Sequence, residues 1–147
     1  MNALDEIIDE LVTRTKTKKL NTSFIRAEFH QTCCTHFVNV VLPELQRFDL
    51  HLRRQEVLIT INALHQCNKN VLQAGVVIEY PVNTNNVLDI RYDFTRQDLT
   101  FSQVVGGRRR NHGNNQHVFN SFAKVTSPKV YDMVEYFVQS VFGAKLV

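Results

Sequence analysis

The chain has 147 residues, 44% hydrophobic and 21% charged, with a formal net charge of +3 and a sequence pI of about 8.9. These values suit one domain, residues 1–147, with its own core, and they exclude a disordered or collagen-like chain. No apolar run approaches the roughly 20 residues that a membrane-crossing helix needs, and the acidic start Met1–Glu6 is unlike a secretory signal, so a cytoplasmic protein without membrane contact is expected.

Leu4, Ile7, Ile8, Leu11 and Val12 recur at helical spacing and predict a first helix. Its acids Asp5, Glu6, Asp9 and Glu10 precede its bases Arg14, Lys16, Lys18 and Lys19. That order suits the helix macrodipole at both ends, so the charge block has a structural explanation. Asn21, Thr22 or Ser23 can cap a second helix, with Phe24, Ile25, Phe29, Cys33, Phe37, Val40 and Val41 along one face. Pro43 is expected to end or kink it, or to open a short continuation through Phe48.

Four strands follow. Val57, Ile59, Ile61 and Ala63 share one face, and a turn at Cys67–Asn70 leads to the alternation Leu72, Ala74, Val76, Ile78, Tyr80. After a polar turn, Leu88, Ile90, Tyr92 and Phe94 point inward while Asp89, Arg91 and Asp93 point outward. A tight connection reaches the fourth strand, Leu99 to Val105. Such short links predict an antiparallel meander and exclude βαβ topology. Val118, Phe119 and Phe122 suggest a short helix. Ser127 then caps a last helix, with Pro128 at its first position and Gly143 as its terminator. Its stripe Val130, Met133, Val134, Phe137, Val138, Val141 and Phe142 predicts packing against one sheet face. The fold class is therefore α+β.

Between Asp98 and Asp132 there is no carboxylate. That stretch holds Arg108, Arg109, Arg110, Lys124 and Lys129, with His112 and His117. A one-sign segment of this length can hold or steer an anion. Within it, Gly106-Gly107-Arg108-Arg109-Arg110-Asn111-His112-Gly113-Asn114 combines flexible glycines with forked guanidinium donors that match phosphate oxygens. Asn111, Asn114, Asn115 and Gln116 add donors and acceptors for base edges or sugars. The segment lacks the Gly-Lys-Ser/Thr ending of a phosphate-binding P-loop and the spacing of a dinucleotide fingerprint. Nucleic-acid or nucleotide binding by an accessory or regulatory factor is the expectation, with Arg108, Arg109, Arg110, Asn111, His112, Asn114, Lys124 and Lys129 as contacts. A protein-interaction module acting as a homodimer through its apolar stripe and aliphatic strands is the alternative.

His30, Cys33, Cys34 and His36 cluster in sequence, but a structural zinc site wants four ligands in recognisable pairs, which are missing. An odd number of cysteines cannot pair fully within one chain, and buried free thiols are the expected state of Cys33, Cys34 and Cys67. Glu79, Asp89 and Asp93 resemble a nuclease acidic cluster without its lysine, and they read as a solvated strand face. Neither metal, cofactor nor enzymatic activity is expected.

Overall fold

The computed structural model describes residues 7–8, 23–106 and 116–143. The second helix runs from residue 23 as α1 (23–36), passes through a π-helical turn at Phe37–Val41, and continues as α2 (Leu42–Arg54). Pro43 neither ends it nor limits it to Phe48. The Leu42 N–H bonds the Phe37 carbonyl five residues back. This widened turn gives room to the ring of Pro43, which has no N–H to offer. Phe29, Cys33, Phe37, Val41, Leu45, Phe48 and Leu52 form the buried stripe at steps of four or three. Phe24 (70% exposed) and Ile25 lie outside it.

The sheet has five strands in the order β1 (Leu58–Asn68), β2 (Val71–Glu79), β3 (Asn85–Asp93), β4 (Asp98–Val104) and β5 (Gln116–Phe119), all antiparallel. The α+β meander is as expected, with one strand more. Residues Gln116–Phe119 pair with β4 instead of forming a helix, because His117 and Phe119 alternate with Gln116 and Val118 and only the first pair packs inward. Phe122 then turns into an aromatic cluster with Phe29, His36 and Tyr92, at ring separations of 5.6 Å each, which sets the 3₁₀ turn Phe122–Lys124.

In β1 a register shift between Asn62 and His65 flips the alternation. Leu64, and not Ala63, therefore packs against the core. The polar turn after β2 ends earlier than its composition suggests. Asn86 is buried inside β3, where its amide donates to the carbonyls of Ile78 and Tyr80 at 3.0 and 2.8 Å and its oxygen accepts from Gly106 N–H at 2.7 Å.

The last helix, α3 (Ser127–Phe142), has Thr126 as its N-cap residue without a side-chain cap bond, one position ahead of the expected Ser127. Gly143 closes it at φ 70°, a left-handed conformation that glycine adopts without strain. Val130, Val134, Phe137 and Val138 are buried under the sheet. Both helical segments cover one face, and the face bearing Gln73, Asp89, Arg91, Thr100 and Ser102 is opposite them. Among the described residues no helix is long and apolar enough to cross a membrane.

Candidate functional site

Arg108, Arg109, Arg110, Asn111, His112 and Asn114 lie outside the described residues. Their flanks are placed: Gly106 follows β4 and Gln116 opens β5. Lys124 and Lys129 are exposed, in the 3₁₀ turn and the first turn of α3. Strand register separates these lysines from the flanks. Gln116 pairs with Ser102, whereas Phe119, nearer Lys124, pairs with Leu99 at the other end of β4. α3 runs in the same direction as β4, from the Lys129 end to Phe142, whose ring packs at a tilt against Tyr80 with centroids 4.7 Å apart. Sixteen helical residues span ~24 Å, so the lysines and the flanks occupy opposite ends of the molecule.

The open face holds a pocket of about 160 Å³ whose lining includes Gln116. Arg91 and Thr100 meet across β3 and β4, as do Asp93 and Asp98, and all four line it. Arg96, in the turn between those strands, reaches Asp93 Oδ2 and Asp98 Oδ2 at 3.5 Å each. These contacts are long for ion pairs, and Asp98 Oδ1 has no partner among the described residues. Thr100 Oγ1 is likewise buried and unpaired among the described residues, although Asp98 and Thr100 are only 4% and 6% exposed. Burial raises the Asp98 carboxyl above its ordinary range, Arg96 opposes that shift and Asp93 adds to it. A pocket with two guanidiniums, an unpaired hydroxyl and an unpaired carboxylate oxygen suits a small polar ligand bearing acceptors for the arginines and a donor for Asp98. The sequence already marks Arg91, Asp89 and Asp93 as outward. It offers no signal that Asp98 and Thr100 are buried there, because their burial comes from neighbours on other strands.

The His–Cys cluster diverges. His36 Nε2 lies 2.9 Å from the Val125 carbonyl and Nδ1 lies 2.7 Å from the Tyr92 hydroxyl. A carbonyl only accepts, so Nε2 carries a proton and Nδ1 receives the Tyr92 O–H. Burial, then Cys33 and Cys34, hold the Tyr92 hydroxyl well above its usual range, which keeps it a donor. With both nitrogens occupied, His36 acts as a strut between α1, β3 and the segment before α3. Burial, with Cys34 beside it, pushes the Cys33 thiol up to about 12. Cys33 therefore stays a thiol at neutral pH. Cys34 and Cys67 are exposed, against the expectation of three buried thiols, because Cys34 falls one residue off the helix stripe and Cys67 lies on an edge strand.

Among the described residues the sheet has no outward aromatic platform: Tyr92 and Phe101 are buried on the helix side, and Phe94 packs edge-on against Phe29 at 5.4 Å. No protein-family model, curated protein or solved structure matches this chain.

Proposed function

We propose that the chain binds phosphate-bearing ligands, nucleotides or nucleic-acid strands, as an accessory or regulatory factor, with Arg108, Arg109 and Arg110 as the principal phosphate contacts. The observation that carries this reading is the carboxylate-free run from Leu99 to Tyr131, which includes three consecutive arginines. Guanidinium forks bind phosphate oxygens bidentately, and no carboxylate within that run competes for them. Gln116, close after those arginines in the chain, lines the open-face pocket together with Arg91 and Arg96, and this favours a ligand that spans both. Lys124 and Lys129, at the other end of the molecule, fit a long strand better than a mononucleotide.

Fluorescence titration against single-stranded DNA, RNA, a mononucleotide and inorganic tripolyphosphate, at low and moderate salt, tests the proposal. Binding that weakens steeply with salt and is lost on changing Arg108, Arg109 and Arg110 to Ala is expected. Absence of binding at low salt, or equal binding by the triple variant, overturns it. Loss of strand binding alone in a Lys124→Ala, Lys129→Ala variant would assign the lysines to the longer ligand.

The homodimer reading loses its first support, because the apolar stripe of α3 is consumed within the chain's own core. What remains for it is the edge of the sheet.

A further inference from the structure

We infer that two copies of this chain associate through β1, antiparallel edge to edge, making one continuous sheet of ten strands. In the described sheet, β1 and β5 are the two edges. β5 has four residues, and short edge strands present little unpaired backbone. β1 has eleven residues, the most of any strand here. Its span from Val57 to Asn68 contains no Asp, Glu, Lys, Arg, Pro or Gly, in a chain that is 21% charged. Edge strands are ordinarily kept apart by such residues, by a bulge or by a covering element. Among the described residues, β1 has two register shifts, between Asn62 and His65 and between Gln66 and Asn68, which leave Leu58–Asn62 regularly paired with β2 on one side.

Those five residues are self-complementary. With a twofold axis at Thr60, Leu58 lies across from Asn62 of the second copy, Ile59 from Ile61, and Thr60 from itself. Ile59 and Ile61 of both copies meet on the helix-covered face, where Ile61 is only half-buried in the single chain. Leu58, 62% exposed, gains a neighbour on the open face. Threonine pairs and aliphatic pairs are favourable across antiparallel strands, and no like charges oppose each other. In the same register Glu56 faces Leu64 of the second copy, so the charge flanking the strand meets no charge. An isologous pairing of this kind closes on itself and uses up the β1 edge of both copies, leaving only the short β5 edges. A charged peptide partner would instead call for complementary charges on β1, and it has none.

Light scattering after size exclusion, with the full chain at ~100 µM, reads the association, since an interface with a Kd of ~10 µM is then mostly paired. The expected result is a mass of two chains. Thr60→Lys and Thr60→Glu each place a charge at the axis on an exposed position, so each should be monomeric with unchanged circular dichroism. Mixing the two should restore the dimer, a rescue that misfolding could not produce. A monomeric parent overturns the inference, and so does an open-ended series of larger species. A dimer that survives both single substitutions assigns the contact to another surface and overturns it equally.

Discussion

The two faces of the sheet are made by the same strands and differ in what they bury. On the helix side, Leu72, Val76, Ile78, Leu88, Ile90, Leu99 and Phe101 are buried against apolar partners. The polar atoms there that have partners bond at short distance, as the His36 strut and the Asn86 amide do. On the open side, Asp98 and Thr100 are as buried as many core residues, yet each leaves an oxygen unpaired among the described residues. Both faces leave buried polar atoms unpaired among the described residues, Gln103 Oε1 and His117 Nε2 on the first and Asp98 Oδ1 and Thr100 Oγ1 on the second, but of these four residues only Asp98 and Thr100 line the open-face pocket. The difference teaches where to look for function: unpaired buried polar groups lower stability wherever they lie, and those gathered at an open pocket are the ones a ligand can reach.

The largest test of the contrast is Phe137→Ala. Phe137 is fully buried in α3 beneath the sheet, so the cavity should cost ~3–5 kcal/mol in urea unfolding, against ~0.5 kcal/mol or less for Arg91→Ala on the exposed face. Equal losses would mean that the open face is covered as tightly as the other. Gly75→Ala comes next. Gly75 points to the open side of β2, but a Cβ there would meet the Leu88 carbonyl oxygen at 3.0 Å. Backbone cannot step aside as a side chain can, so ~1–3 kcal/mol is expected. Full stability in that variant would show that β2 and β3 separate easily. Tyr92→Phe, smaller again, removes one hydroxyl and leaves His36 Nδ1 unpaired among buried groups. A loss of ~1–2 kcal/mol follows, and nuclear magnetic resonance of the His36 ring should report the changed hydrogen bonding.

Periodicity was sufficient for the helix-side face, because alternation in β2 and β3 and the i+4 steps of α1 and α3 record burial directly in residue type. It was insufficient where local signals compete with tertiary ones. Val118, Phe119 and Phe122 have helical spacing on paper. β5 forms because the exposed edge of β4 takes four residues as a partner, and no local propensity encodes that edge. Pro43 reads as a helix end unless the π turn ahead of it is anticipated. The open-face pocket was half legible. Arg91 and Asp93 announce themselves by alternation, whereas Asp98 and Thr100 look like ordinary turn and strand residues until β2, β3 and β5 close around them. Of the expected phosphate contacts, composition alone identifies the arginines.

The smallest effect concerns Asp98 and turns on sign. Its carboxyl titrates above the ordinary 3.8 in the folded chain, chiefly through burial. The folded state therefore holds this proton at a pH where the unfolded chain has released it. The stability contributed by the protonated group is complete below about 3.8 and is lost as pH rises through the raised folded value. At neutral pH the ionised group is a net cost that Arg96, at 3.5 Å, only partly offsets. Asp98→Asn keeps the shape and removes the charge, so it should leave stability at pH 7 unchanged or raise it by up to ~1 kcal/mol, with the difference vanishing near pH 4. Urea midpoints at the two pH values read this directly. A variant less stable at pH 7 would mean that the Arg96 contact outweighs burial, making Asp98 a structural ion-pair partner. If instead the variant is more stable but binds the ligand of the open face less well, Asp98 is a group that stability alone would discard, kept in the pocket for what it holds.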